Sequence, residues 1–160
     1  MLNFSSVTGL ILAGGLSHRM NNREKAFIPL AGKPLLAHVL ERLAPQVDEV
    51  IINANGNPAR FAAFNRAVVA DVRSGFLGPL AGIEAAFLST ETDWLLSIPV
   101  DTPFIPRDLA FRLCQVAHGA EFPVVVKRGG RLHPVITLWH RSALPGLKAA
   151  LDAKQLRLHD

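Results

Sequence analysis

Short apolar runs and helical repeats of apolar residues alternate along the whole chain. Buried strands appear in sequence as short apolar runs, whereas amphipathic helices space their apolar residues by one helical turn. These patterns predict strands over residues 7–13, 47–53, 67–70 and 94–99. They also predict helices over residues 34–44, 80–88 and 106–117, with a shorter helix starting at Pro58. Strict alternation of strand and helix favours a mostly parallel sheet.

The pattern changes near the C-terminal end of the chain. Apolar segments at 122–127 and 132–139 flank Arg128-Gly129-Gly130, which predicts an antiparallel hairpin. Ser142 is predicted to cap a last helix that ends near Ala153. A chain of 160 residues has the usual size of one domain. We therefore predict a single-domain, Rossmann-like α/β fold, with a mostly parallel sheet, helices on both faces and one antiparallel hairpin.

Composition narrows the class of protein. Hydrophobic residues make up 49% of the chain and charged residues 19%, as in globular proteins rather than disordered ones. No apolar run approaches the ~20 residues of a membrane span, and residues 1–8 lack the basic start of a signal peptide. The single cysteine, Cys114, excludes an internal disulfide and fits a reducing compartment. We expect a cytoplasmic protein in which Cys114, Trp94 and Trp139 belong to the core.

The net charge of +4 indicates an anionic ligand of small size. The basic residues are scattered singly along the sequence and do not form the stripe expected of a nucleic-acid-binding face. A pocket for a small anion accounts for the charge more simply than nucleic acid does.

Polar residues and glycines follow the predicted strands where parallel sheets bind ligands. Gly14-Gly15 follows the first strand, Asn53 ends the second, Asp71 follows the third and Asp101 follows the fourth. Ligands of such sheets lie beyond the carboxyl ends of the strands. Four neighbouring strand ends with this chemistry therefore predict one binding site.

Two glycines and two cations mark a candidate phosphate site. Gly14 and Gly15 expose backbone N–H groups to phosphate oxygens, and Arg19 and Lys25 can neutralise the charge. The alternative is an ordinary bend followed by solvated cations. The segment matches neither GxxxxGK[ST] nor GxGxxG, which excludes a P-loop and a dinucleotide fingerprint.

The remaining strand-end residues have two interpretations each. Asp101 is a candidate Mg²⁺ ligand, because Mg²⁺ takes one or two carboxylates together with phosphate oxygens; its alternative is a turn ahead of Pro106. Asn53 and Asp71 contact a base or ribose, or they make turns. The loop 74–81 covers a ligand, or it is a connector. His133, in the hairpin, is a candidate for the acceptor side, with simple packing as the alternative.

The order of these residues resembles a known family. Leu12-Ala13-Gly14-Gly15, Arg19-Met20, Lys25 and the segment 30–35 resemble the LAGGxxxRM…K…LxGxPL signature of pyrophosphorylase-like nucleotidyltransferases. Within that group the chain is similar to the molybdenum cofactor guanylyltransferases. This likeness rests on PQV at 45–47, INAN at 52–55, GFLGPLAG at 75–82, PVDTPF at 99–104 and HPV at 133–135.

The resemblance implies an activity and a set of roles. The family uses Mg²⁺ to join GMP from GTP to the terminal phosphate of a molybdenum-bound pterin, and releases pyrophosphate. It implies GTP and a molybdopterin-type acceptor as partners, with transient contacts to other molybdenum cofactor biosynthesis proteins and with neither nucleic acid nor membrane. The nucleotide-binding residues implied are Leu12, Ala13, Gly14, Gly15, Lys25, Asn53, Asp71 and Asp101. Lys25, Asp101 and Arg19 are the implied catalytic residues, Asp101 holds the metal, and Asn53 and Asp71 contact the guanosine end.

The chain departs from the family pattern at two places. Asn21-Asn22-Arg23-Glu24 replaces a segment with two glycines and an aspartate, and the asparagine side chains are expected to crowd a phosphate. The family pattern also continues to an Asn-x-Asn-Thr-Pro segment on the acceptor side, whereas this sequence stops at Asp160. We expect a C-terminally short chain in which nucleotide binding persists while transfer is weak or absent.

Two alternatives follow from these features. One is a cytidylyl- or sugar-1-phosphate nucleotidyltransferase of the same fold. Gly14 distinguishes the chain from the cytidylyl relatives, because those commonly carry alanine at this position. The other is a nucleotide-binding protein that has lost catalysis.

Overall fold

The computed structural model describes residues 6–15, 24–118 and 123–158. The strands are β1 (Val7–Leu12), β2 (Pro29–Leu30), β3 (Lys33–Pro34), β4 (Glu49–Asn53), β5 (Ala67–Val69), β6 (Trp94–Pro99), β7 (Val124–Arg128) and β8 (Arg131–His140). The α-helices are α1 (Leu35–Leu43), α2 (Pro79–Ser89), α3 (Leu109–Ala117) and α4 (Leu144–Asp152). Short 3₁₀ helices occupy Lys25–Phe27, Ala44–Gln46, Pro58–Phe64 and Arg141–Ala143.

The main sheet has six strands in the order β5-β4-β1-β6-β8-β7. Strands β5, β4, β1 and β6 run parallel, whereas β8 is antiparallel to both β6 and β7. The predicted fold class is therefore confirmed. The register aligns Val69 with Asn53, Asn53 with Leu12, and Leu12 with Pro99. Four parallel strands thus end in one row, as predicted from the polar residues that follow them.

Helices cover both faces of the sheet because side chains alternate along each buried strand. On β1, Val7 and Ile11 join the core formed with α1 and α3, whereas Leu10 joins a second core formed with α2 and α4. Cys114 and Trp139 are buried, as predicted. Trp94, also predicted for the core, is only partly buried and packs against the core of α1 and α3. Its ring lies edge-on to that of His140 with the centroids 4.7 Å apart.

Two predicted helix starts are wrong, for local reasons. The helix predicted from Pro106 begins at Leu109, where Gln46 Oε1 accepts a hydrogen bond from the backbone N–H of Ala110. This contact supplies a partner for a helix-terminal N–H from outside the helix. Ser142 does not cap the last helix: it lies in a 3₁₀ turn, its own N–H donates to Nδ1 of His140, and α4 begins at Leu144.

The predicted hairpin is present, although residue 122 lies outside the described residues. Gly129 and Gly130 both have positive φ, at 55° and 79°, as a tight two-residue hairpin turn requires. A second, smaller hairpin of β2 and β3 was missed, because strands of two residues are too short for a sequence pattern. Within the described ranges, no helix has the length and apolar character needed to cross a bilayer.

Candidate functional site

A cleft of about 490 Å³ opens beyond the row of strand ends. It lies where the strand order turns back between β1 and β6, the point at which open α/β sheets bind ligands. Backbone hydrogen bonds fix its floor: the Ala13 N–H donates to the Asn53 carbonyl at 2.9 Å, and the Val100 N–H donates to the Leu12 carbonyl at 3.1 Å. Residues lining the cleft include Leu12, Gly14, Gly15, Lys25, Asn53, Asn55, Asp71, Phe76 and Gly78.

Gly14 and Gly15 form the rim of the cleft after β1. Gly15 is exposed, and a Cβ added there would meet nothing within 4 Å, so its backbone is open to a ligand. A Cβ at Gly14 would lie 3.2 Å from Nδ2 of Asn55 and 3.3 Å from Oδ1 of Asn53. An alanine at position 14 would therefore press on both amides, which gives a physical reason for glycine at the position expected to separate purine from pyrimidine pockets.

Asn53, Asn55 and Asp71 form one hydrogen-bonded network at the β4–β5 side of the cleft. Asn53 Nδ2 donates to Oδ1 of Asp71 at 2.9 Å, and Asn55 Nδ2 donates to Oδ2 at 3.0 Å. The Asp71 N–H donates back to Oδ1 of Asn55 at 2.9 Å. Both carboxylate oxygens are held, so the orientation of Asp71 is fixed.

Asn55 was not among the predicted site residues. Its signal was its position beside Asn53 in the INAN segment, where the chain leaves β4.

Helix α2 approaches the same network through Gly82. A Cβ on Gly82 would overlap the side-chain amide of Asn53, with only 2.8 Å to its Cγ and 2.6 Å to Cδ2 of Leu12. Separations below 3.0 Å are essentially never seen for real Cβ atoms, so glycine is required for the first turn of α2 to lie over the end of β4. Gly82 is the last residue of the GFLGPLAG segment, and no role was predicted for it from the sequence.

Lys25, which lines the cleft, forms an ion pair with Asp101. Nζ of Lys25 lies 3.1 Å from Oδ2 of Asp101. Lys25 begins a 3₁₀ turn whose second residue, Ala26, is completely buried and so fixes the position of the turn. Asp101 also lines an adjacent cleft of about 330 Å³, together with Arg128 and His133. The Lys25–Asp101 pair therefore joins the two clefts, and the structure places the His133 backbone segment next to the predicted site.

The loop between β5 and α2 bears one exposed aromatic residue. Phe76 lines the main cleft with 67% of its surface exposed, and its φ is +52°, which is uncommon for a bulky residue. Gly78, with φ of +75°, precedes α2. Backbone strain of this kind tends to cluster at ligand-binding segments. The sequence left two interpretations of this loop open, a ligand-covering loop and a connector, and did not select Phe76.

The predicted site residues fall into two groups. Leu12, Ala13, Gly14, Gly15, Lys25, Asn53, Asp71 and Asp101 all lie at or beside the row of strand ends. Arg19 lies outside the described residues, as do His18, Met20, Asn21 and Asn22. Across the residues that the structure does describe, no group of three or more His, Cys, Asp and Glu side chains could hold a metal.

Comparison with known proteins gives one consistent family. Residues 9–159 match the family described as the MobA-like NTP transferase domain. The molybdenum cofactor guanylyltransferase of Rhodopseudomonas palustris is 43% identical over an alignment of 166 positions, gaps included, which covers 100% of this chain and 79% of that protein. The enzyme of the same name from Nitrobacter hamburgensis is 45% identical over 159 residues, with 95% and 76% covered.

A solved structure shares the fold at lower identity. Molybdopterin-guanine dinucleotide biosynthesis protein A from Archaeoglobus fulgidus superimposes with a TM-score of 0.79 at 21% identity. The superposition covers 94% of this chain and 76% of that one.

Proposed function

The chain belongs to the MobA-like NTP transferase family, among the molybdenum cofactor guanylyltransferases, and we propose that it transfers GMP from GTP to molybdenum-bound molybdopterin. The observation that carries the proposal is the single cleft at which β1, β4, β5 and β6 end. It combines an open glycine backbone and a lysine, which suit the phosphates of a nucleoside triphosphate, with a fixed amide–carboxylate network, which suits its nucleoside.

The network of Asn53, Asn55 and Asp71 is the proposed guanosine end of the cleft. A carboxylate held at both oxygens presents its remaining lone pairs in fixed directions, which suits hydrogen-bond donors on a ribose or a base. The tight fit of Gly14 against these amides supports a pocket shaped for one class of base. The guanylyltransferases named above support guanine as that base.

Gly14, Gly15 and Lys25 form the proposed phosphate end. Backbone N–H groups and a lysine ammonium bind phosphate oxygens without any change in protonation. Both glycines and Lys25 line the same cleft as the proposed guanosine end. An extended nucleotide can therefore contact both ends at once.

The reaction needs positioning and charge neutralisation more than a covalent nucleophile. A phosphate oxygen of the acceptor forms a bond to the α-phosphorus of GTP. The bond from that phosphorus to the bridging oxygen of the β-phosphate breaks, and pyrophosphate leaves with the electron pair. Asp101 lines the adjacent cleft and contacts Lys25 of the main cleft, so we propose that the acceptor lies in the adjacent cleft beside His133.

The residues present fit Mg²⁺ as the cofactor. Asp101 supplies one half-exposed carboxylate, and Mg²⁺ typically takes one or two carboxylates together with phosphate oxygens and water. When bound, Mg²⁺ would neutralise the charge that develops on the phosphate oxygens. Lys25 would contact the phosphates directly, whereas Asp101 would act by holding the metal.

Calorimetric titration with GTP, CTP and ATP, each with and without Mg²⁺, is the first test. A second assay follows label from α-³²P-GTP into molybdenum-bound molybdopterin and measures pyrophosphate release. Metal-dependent preference for GTP together with labelled product supports the proposal. Preference for CTP would instead assign the protein to the cytidylyltransferases. GTP binding without pyrophosphate release would leave a nucleotide-binding protein without catalysis.

A further inference from the structure

Helix α2 contains a buried carboxylate for which the proposed reaction has no use. Glu84 is 2% exposed and lies within a run of buried residues that extends from Leu80 to Phe87. A buried charge is costly unless it is paired and hydrogen-bonded. Arg73 meets this requirement with two bonds: Nε donates to Oε2 of Glu84 at 2.7 Å and Nη2 donates to Oε1 at 3.0 Å.

Arg73 makes a third contact with a different helix. Its Nη1 donates to Oδ1 of Asp152, the last residue of α4, at 2.6 Å. The hydrogen bonds that Arg73 donates, first to Glu84 and second to Asp152, raise the pKa of its guanidinium above the ordinary value. The cation is therefore permanent, and it holds one point of the chain against two helices.

That point lies within the loop that borders the nucleotide cleft. Asp71 precedes Arg73 and is fixed by the asparagine network, while Phe76 follows Arg73 and lines the cleft. Phe76 has a φ of +52°, which is uncommon for a bulky residue, so at this point the loop follows a path that an unanchored chain would seldom adopt. Arg73 therefore anchors the loop at a point between Asp71, which belongs to the proposed guanosine end, and Phe76.

We propose that Arg73 is a positioning residue for the nucleotide: by binding Glu84 and Asp152 it sets Asp71 and Phe76 against the cleft. This inference rests on the proposed function, since it takes a guanine nucleotide as the occupant of the cleft. Arg73 itself does not line that cleft, so it acts through the loop and not by touching the ligand.

A matched set of variants separates positioning from stability. Arg73→Met alone leaves the Glu84 carboxylate buried without its partner, which destabilises the fold. Arg73→Met/Glu84→Met removes both charges, and replacing a buried ion pair by apolar side chains of similar volume is often tolerated. Arg73→Lys keeps the charge but loses the two-point contact. Arg112→Met is the control, because it removes an exposed arginine–aspartate pair on α3.

The measurements are the melting temperature, the Kd for GTP with Mg²⁺, and hydrogen exchange of the backbone amides of residues 72–77. We expect the double variant and Arg73→Lys to melt near the wild type, to bind GTP roughly ten-fold or more weakly, and to exchange faster in this loop. The Arg112→Met control should match the wild type in all three measurements.

The outcomes distinguish this inference from the proposed function. The positioning role is overturned if the double variant folds and keeps the GTP affinity and the loop exchange of the wild type. If the double variant does not fold, the same result in Arg73→Lys overturns it. Failure of the wild type to bind GTP overturns the proposed function, and the nucleotide-positioning inference with it. Faster exchange of the loop in that case would still show that Arg73 anchors it.

Discussion

Nζ of Lys25 lies 3.1 Å from Oδ2 of Asp101, and this ion pair links the cleft lined by Lys25 to the adjacent cleft lined by Asp101. The two side chains are 39% and 47% exposed. An ion pair so exposed contributes only about 0–1 kcal/mol to stability. Breaking this ion pair when a ligand binds therefore costs the fold little stability. Substitutions at either residue should change ligand binding and turnover more than they change folding.

Asp101→Asn should abolish transfer while leaving most of the nucleotide affinity. The carboxylate matters most as charge develops in the transition state, so we expect a loss of roughly 100-fold or more in turnover. Turnover is measured by pyrophosphate release and the Kd for GTP by calorimetry. Equal turnover in the variant and the wild type would refute the metal-binding assignment of Asp101.

Lys25→Ala should raise the Kd for GTP about ten-fold or more, because a charged hydrogen bond to phosphate is lost. Lys33→Ala is the matched control, since Lys33 also forms an exposed ion pair, 2.6 Å from Glu41, but does not line the cleft. Calorimetry on both variants checks the expectation. Similar affinities for the two would argue against a phosphate role for Lys25.

Gly82→Ala should impair both the fold and the nucleotide site. Its Cβ would overlap Asn53, and overpacking of this kind typically costs about 1–3 kcal/mol. Denaturant unfolding and GTP titration measure the two effects. Gly146→Ala in α4 is the control, because a Cβ there meets nothing within 4 Å and alanine favours the helix. Normal GTP affinity in Gly82→Ala would show that Asn53 tolerates displacement.

The Cys114 thiol should be protected in the folded protein and should influence stability at alkaline pH. Burial raises the pKa of Cys114, so the folded state keeps the thiol protonated at pH values where the unfolded chain ionises. The buried, protonated thiol therefore contributes its full stabilisation below the pKa of cysteine in the unfolded chain, about 8.5. That stabilisation is lost progressively as the pH rises above this value.

Thiol titration with and without denaturant, and unfolding of the wild type and Cys114→Ala at neutral and alkaline pH, test this. A thiol that reacts rapidly in the native protein would contradict its place in the core.

The row of strand ends could be predicted from sequence because it follows from local patterns. Asn53 and Asp101 each lie at or just after a recognisable buried strand, and parallel strands end at one edge. The contacts of Gly82 and of Glu84 could not be predicted in the same way. They depend on which turn of α2 lies over β4 and the loop, and residues far apart in sequence determine that packing.

The start of α3 was mispredicted for a related reason. Gln46, which belongs to a different part of the chain, binds the N–H of Ala110 and so favours a start later than the proline signal indicates. The loop contact of Arg73 is similar, because nothing in its sequence neighbourhood points to Asp152. Tertiary contacts thus decided the features that local patterns did not.

The sheet separates two hydrophobic cores, and residues beside the cleft belong to both. Ala26, beside Lys25, packs in the core of α1 and α3, whereas Leu80 and Ile83, next to the loop of Asp71, pack in the core of α2 and α4. The cleft therefore depends on the packing of helices against both faces of the sheet. A cavity-forming substitution behind Ala26 should therefore displace Lys25, and one behind Leu80 or Ile83 should displace the loop of Asp71, so substitutions remote from the cleft should change GTP affinity by different routes.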